Sequence, residues 1–159
     1  MNDSVSIVKA IGIILMVLGH SGCPDFLYNF IYQFHMPLFF FISGYCFKEK
    51  YINDLSVFIK RRIKGLYLPY VKYSLLFLLL HNIFFRINIY NGEYGFNGRV
   101  SELYGYDTFF IKVINIITGM FGHEQLLGGF WFLKQLLFAS IISLFAIKYI
   151  RNVKITGGC

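Results

Sequence analysis

Long apolar runs, separated by short stretches that hold most of the charge, restrict what this chain can fold into. Of its 159 residues, 57% are hydrophobic and 14% charged. A soluble domain carries about 25% charged residues. The runs are helix-length, so the expected fold is all-α, a multi-spanning transmembrane helical protein with about four spans in one domain.

The first run is Ser4 to Leu18, interrupted only by Ser6 and Lys9, and reaches an adequate length when extended to His20 or Ser21. Gly12 and Gly19 are small positions at which a second helix can approach closely. Gly22-Cys23-Pro24-Asp25 has turn chemistry, with Asp25 able to cap the next helix. Phe26 to Phe47 is the second run, and Pro37 inside it predicts a kink beside Gln33 and His35. Leu66 to about Phe85 is the third, with Pro69 in its first turn. Residues 86 to about 108, rich in Asn, Gly and Tyr, read as a loop. Phe109 to Phe121 is too short to span and reads as an interfacial or re-entrant helix. Gly122 to Gly129 connects it to the last run, Phe130 to Ile147.

Charge placement sets the expected orientation. Residues 48–64 hold six basic side chains (Lys48, Lys50, Lys60, Arg61, Arg62, Lys64) and two acidic ones (Glu49, Asp54), whereas the 21–25 turn has no basic residue. The excess of Lys and Arg in cytoplasmic loops puts residues 48–64 and both termini inside, a multi-pass protein of the cell inner (plasma) membrane. Lys148, Arg151 and Lys154 after the last run agree. This placement accounts for the net charge of +7 and excludes nucleic acid as a partner. The first run has no basic segment before it and no small-x-small cleavage site after it, so it reads as a retained span. Cys23, Cys46 and Cys159 have no metal-ligand spacing and no disulfide framework, and no metal is predicted.

Ionisable side chains within apolar runs are functional candidates. Lys9 and His20 are 11 residues apart on one predicted helix and share a face, with a rise of roughly 16 Å between them. A lysine near the inner end of a span also snorkels to the headgroups. His20 reads as an interfacial histidine or as a functional one. His35 follows in the outer half of the second helix, and the short turn brings it near His20, so both can face one pocket. Imidazole suits general-base work. A metal wants three or four ligands, and no spacing here demands one. Arg61 and Arg62 match phosphate geometry but also serve as topogenic charges. His123-Glu124-Gln125-Leu126-Leu127 lacks the second histidine of a zinc-protease helix, and Gly19-His20-Ser21-Gly22-Cys23 is no nucleophile elbow. His81 stands alone in the third run and reads as packing or interfacial. Trp131 reads as an aromatic-belt residue.

Four motifs together give a resemblance. Lys9-x10-His20 is similar to the first-helix motif of the membrane acyltransferase family 3. Tyr32-Gln33-Phe34-His35-Met36-Pro37-Leu38-Phe39-Phe40-Phe41-Ile42-Ser43-Gly44-Tyr45 resembles its second-helix signature. Lys60-Arg61-Arg62-Ile63-Lys64-Gly65-Leu66-Tyr67-Leu68-Pro69-Tyr70 resembles its basic loop entering the third helix, and Gly129-Phe130-Trp131-Phe132-Leu133 its later Trp-Phe-Leu motif. The branch most resembled is that of the fucose 4-O-acetylases.

The resemblance implies an integral membrane O-acetyltransferase. The donor would be an acyl-CoA, usually acetyl-CoA, and the acceptor a saccharide or lipid-linked glycan hydroxyl of a cell-envelope or exported polysaccharide. Carried over by position, His20 would be the essential histidine and His35 the second. Lys9 would be the basic partner, and Arg61 and Arg62 would contact the donor's phosphates. Family members are longer, so residues 1–159 read as a family domain truncated at the C-terminus. That shortness also motivates an alternative, an inactive remnant or a non-enzymatic membrane partner protein. A histidine-metal transporter would need more acids in the spans than there are.

Overall fold

The computed structural model of the chain describes residues 3–90, 92, 100 and 102–156, with residues 152–156 as backbone only. Among these residues all regular structure is helical, as the apolar runs require. Helices close their own backbone hydrogen bonds, which lipid cannot supply. The chain forms two compact units, Met1–Asn53 and Asp54–Cys159.

The first unit is a helical hairpin of α1 (Asp3–His20) and α2 (Asp25–Tyr45), followed by the short α3 (Lys50–Asn53). Leu18 ends α1 by accepting from the Ser21 amide and hydroxyl. Gly22 takes the left-handed φ of 79° that turns the chain. Pro24, not Asp25, is the N-cap of α2, and the cap has no side-chain hydrogen bond. Asp25 lies one position further on, in the first turn, where its charge favours the helix dipole instead. The two helices close on Gly12 and Gly19, the only buried residues of α1. A Cβ at Gly12 would lie 3.0 Å from the Phe39 ring, and one at Gly19 3.1 Å from the Tyr32 ring. Helix α2 runs unbroken from Asp25 to Tyr45 with Pro37 inside it.

The second unit begins at Asp54, whose carboxylate accepts from the Val57 amide and the Ser56 hydroxyl and caps α4 (Leu55–Arg62). Those bonds hold its carboxyl below the usual carboxylate range. The basic stretch expected to be a loop is helical. A π-helical turn (Ile63–Tyr67) joins α4 to α5 (Leu68–Arg86), giving one helical stretch from Leu55 to Arg86. Pro69 explains the wider turn. It has no amide to donate four residues back, and its ring would crowd the carbonyl there. The Leu68 amide instead reaches the Ile63 carbonyl, five residues back.

Helix α6 (Tyr106–Gly119) has 14 residues, about 21 Å, short of the roughly 30 Å hydrocarbon core. It packs on α5 through Ile116, which joins Tyr70, Leu78 and Met120 in the core of the unit. The Tyr67 hydroxyl donates to the Ile117 carbonyl at 2.7 Å and fastens the π turn to α6. A 3-10 turn (Gln125–Phe130) leads into α7 (Trp131–Thr156). Part of the 86–108 loop, and Cys159, lie outside the described residues.

Among the described residues three stretches, Asp3–His20, Leu55–Arg86 and Gln125–Arg151, are long and apolar enough to cross a membrane. Only 11% of the first is buried within the protein, so its apolar surface requires an apolar solvent. The all-α membrane architecture is borne out. Helix α2, at 21 residues, has the length of a span, but Asn29, Gln33 and His35 interrupt its apolar run.

The glycine contacts give a stability prediction. Gly12→Ala gains helix propensity but asks the Phe39 ring to give way by a few tenths of an ångström, so it changes little. Gly12→Leu overpacks the seam and is expected to destabilise the hairpin by about 1–3 kcal/mol. Thermal unfolding of the two variants in lipid nanodiscs checks this; equal midpoints would show that the helices do not meet at Gly12.

Candidate functional site

In the first unit the two histidines do not pair directly; Tyr32 stands between them. His20 ends α1 and is exposed. The Tyr32 hydroxyl lies 3.4 Å from its Nδ1 and 3.3 Å from its Nε2. An oxygen almost equidistant from both nitrogens is aligned with neither ring N–H, because the two N–H directions diverge on opposite sides of the ring. The rings meet edge to face with centroids 5.9 Å apart. On its other side Tyr32 meets His35, again edge to face, at 5.0 Å. Tyr32 and His35 are three residues apart on α2 and so share a face.

His35 is 2% exposed, and its Nδ1 lies 2.7 Å from the Ile31 carbonyl oxygen. A carbonyl only accepts, so Nδ1 carries the proton and donates. In the neutral ring Nε2 then holds the lone pair. This fixes which atom of His35 is able to act as a base or to receive a proton. The pocket expected at this pair is not what the first unit's apolar cleft provides. That cleft, about 350 Å³, lies at the opposite end of the hairpin and is lined by Ser4, Val5, Val8, Phe41, Ile42 and Tyr45.

Lys9 is exposed on α1, and the helix holds it roughly 16 Å from His20. Arg61 and Arg62 belong to the second unit and close α4. As neighbours on a helix they point about 100° apart. Arg62 lays its guanidinium 5.1 Å from the centre of the Phe58 ring, while Arg61 is exposed. The two do not form one clamp; Arg61 is the more accessible to an anionic ligand.

The second unit holds an ionisable cluster that sequence reasoning missed. His81, on α5, is fully buried, and its Nδ1 donates to Glu124 Oε2 at 2.7 Å. Its Nε2 faces the Glu102 carbonyl at 3.3 Å. The same carboxylate accepts from the Tyr90 hydroxyl at 3.4 Å and from Lys112 Nζ at 3.4 Å. Tyr104 stacks flat on His81 at 3.4 Å, and the Lys112 ammonium lies 4.4 Å from the same phenol ring. Asn82 holds the Tyr104 backbone at both its amide and its carbonyl. Burial, and the Glu124 charge beside them, push the Tyr90 and Tyr104 phenols above their ordinary range and keep both protonated. Next to this cluster His123 pairs with the Tyr70 hydroxyl at 3.2 Å. Burial lowers the pKa of His123, and Lys112 pushes it the same way against the opposing charge of Glu124. The only sequence signal for the cluster is the adjacent pair His123-Glu124 and an isolated histidine at 81; neither says that the two meet. Among the described residues no three His, Cys, Asp or Glu side chains stand close enough to hold a metal ion.

The family model described as an acyltransferase domain matches residues 2–157. The chain belongs to acyltransferase family 3. No curated protein and no solved structure matches it. Family membership makes the chain a membrane acyltransferase in general terms, and it covers both units, the histidine hairpin and the Glu124 cluster alike.

Two predictions follow the acyltransferase's second unit. Glu124→Ala strands His81 and Lys112 beside a lost carboxylate, and breaking such a buried pair is expected to cost about 3–5 kcal/mol. Glu124→Gln, which keeps the shape, is expected to cost less. Denaturation in mixed micelles measures both; a loss for the alanine variant no greater than that of an exposed site would show that the cluster does not support the fold. The second concerns pH. His123 binds a proton less readily folded than unfolded, so its contribution is present above the ordinary imidazole range and is lost as pH falls through its lowered value. Midpoints taken from neutral to mildly acidic pH are expected to fall less steeply for His123→Gln than for the wild type.

Proposed function

We propose that this acyltransferase moves an acyl group, by family default acetyl, from acyl-CoA to a saccharide hydroxyl. The acceptor belongs to a cell-envelope or exported polysaccharide or its lipid-linked precursor, and the chain to the branch of the fucose 4-O-acetylases. The enzyme works in the cell inner membrane, with residues 48–64 on the cytoplasmic side, from which the donor extends its thioester toward the His20 end of the hairpin. The observation that carries this reading is the His20–Tyr32–His35 arrangement at one end of an apolar hairpin, in a chain of this family.

In the proposed reaction a base nitrogen of His20 takes the proton of the sugar hydroxyl as its oxygen attacks the thioester carbonyl. A tetrahedral intermediate forms. Its C–S bond breaks, the CoA sulfur leaves as a thiolate, and the proton held on His20 returns to that sulfur. The products are an ester and free CoA. His35 spends its Nδ1–H on Ile31, so only its Nε2 is available, to orient the acceptor or to stabilise charge. Lys9 supports the positive potential along α1. Arg61 offers its guanidinium to donor phosphates, and Arg62, laid over Phe58, supports the helix that presents it.

Loss of a general base lowers rate by about 10²–10⁴-fold. His20→Ala is therefore expected to reduce saccharide acylation by that factor in membranes while leaving the amount of folded protein unchanged. Acylation equal to wild type in that variant would contradict the mechanism.

A further inference from the structure

We propose that the outward face of α6 is covered by lipid hydrocarbon, so that α6 and α7 are the staggered halves of one interrupted membrane crossing. The turn between them, residues 120–124, then lies within the depth of the bilayer, enclosed by protein. The proposal concerns the second unit and does not depend on the chemistry of the first.

The two helices descend one after the other beside α5. Asn82 holds both backbone groups of Tyr104, just before α6, and the Tyr67 hydroxyl reaches the Ile117 carbonyl near its end. Helix α6 therefore runs antiparallel to α5, from the height of Asn82 toward that of Tyr67. Phe130, just before α7, meets the rings of Tyr70 and Tyr73, and Leu133 and Leu137 pack around Tyr70. Helix α7 also packs on the π turn, so it continues in the direction of α6. It begins beside the middle of the Leu55–Arg86 stretch, with Tyr73 about 20 Å along the helix from Arg86. Lys64 and Arg86 bracket the apolar run of that stretch, and their midpoint is near residue 75. Tyr70 and His81, which hold the turn through His123 and Glu124, lie on either side of that midpoint.

The side chains that α6 turns outward match lipid. An interfacial helix needs a polar face for water. From Phe110 onward the exposed residues of α6 are Phe110, Ile111, Ile114, Ile117 and Thr118, with no charge among them. Thr118 donates its hydroxyl to the Ile114 carbonyl within the helix, and Lys112 turns inward to Glu124. Leu79 and Ile83 of α5 are exposed beside this face, and they belong to a stretch long and apolar enough to cross a membrane. Beyond the turn α7 exposes Phe138, Ile142 and Phe145. Apolar surface therefore lies on both sides of the turn, and only an apolar solvent covers it without loss.

Irregular backbone at membrane depth is tolerated where protein encloses it and supplies its partners. The turn needs left-handed φ angles of 50° at Met120 and 78° at Gly122. Met120, Glu124 and Leu127 are buried. The Phe121 amide donates to the Asn115 carbonyl and the Leu127 amide to the Glu124 carbonyl. The Glu124 and His123 side chains are taken up by His81 and Tyr70 of α5. Lys72, Lys112 and Lys134 fall in the same zone. Each lies along an aromatic ring, of Tyr73 at 5.4 Å, Tyr104 at 4.4 Å and Phe121 at 5.1 Å, a contact that strengthens away from water. The buried cluster around Glu124 is thus what allows a crossing to be interrupted at this height.

Trp131 is the single tryptophan of the chain, is exposed, and opens α7, so the wild-type protein carries its own depth probe. The full chain is reconstituted in phosphatidylcholine bilayers whose acyl chains carry bromine either near the glycerol ester or near the methyl end. Trp131 is expected to lose more fluorescence to the deep bromines than to the shallow ones, which places it in the hydrocarbon and not in an aromatic belt. In a Trp131→Phe background, Tyr106→Trp reports the start of α6, and Ile114→Trp a point roughly 12 Å further along the helix. The first is expected to be quenched best by the shallow bromines and the second by the deep ones. Trp131 quenched best by the shallow set would overturn the proposal. Equal depths for Tyr106→Trp and Ile114→Trp, the outcome for a helix lying flat at the interface, would overturn it too. Weak quenching of Ile114→Trp by both sets would put protein, such as a second copy of the chain, over the face and overturn it as well. The wild-type measurement needs no substitution and stands should a variant fail to fold.

Discussion

Lipid offers no hydrogen bonds, and that constraint governs where this chain places its ionisable side chains. Each buried polar group must find its partner within the protein. The chain meets the demand twice. In the first unit two glycines draw a pair of helices close enough for one tyrosine ring to lie between two histidines. In the second, a single carboxylate gathers an imidazole, an ammonium and a phenol from separate segments. The first arrangement leaves one histidine exposed and adjustable. The second is closed, with its acid and imidazole both buried. That contrast is what motivates the proposal of chemistry in the first unit and of a supporting role for the second.

Local features carried much of the first unit. Gly12 and Gly19 marked the seam because small residues are what close helix approach needs, and both lie against α2 rings. His20 and His35 were paired from the shortness of the turn between them. Tyr32 was visible in the motif, but nothing in spacing said that it would separate the two rings. The cap at Asp25 was misplaced by one position, because Pro24 already supplies the non-helical residue at which α2 starts.

The second unit was harder to read because its decisive contacts are distant in sequence. Glu124 and His81 are brought together by packing of α6 and the 3-10 turn against α5, which local periodicity does not encode. Each looked unremarkable alone: His81 as filler in a span, Glu124 as part of a failed metal motif. The basic stretch at Lys60–Lys64 reads as a loop by charge, yet Asp54 caps it and the π turn carries it past Pro69 into one helix. Charge identified the side of the membrane it is proposed to face; it did not reveal its conformation.

The hairpin seam places Tyr32 between His20 and His35, and the chemistry proposed for this acyltransferase depends on that placement. Solid-state NMR of the chain in lipid bilayers, labelled in the Tyr ring and the His imidazole, measures it directly. Contacts from the Tyr32 ring to both imidazoles are predicted, at centroid separations near the 5.9 and 5.0 Å found here. A Tyr32 ring in contact with His35 alone, with His20 turned away, would contradict it.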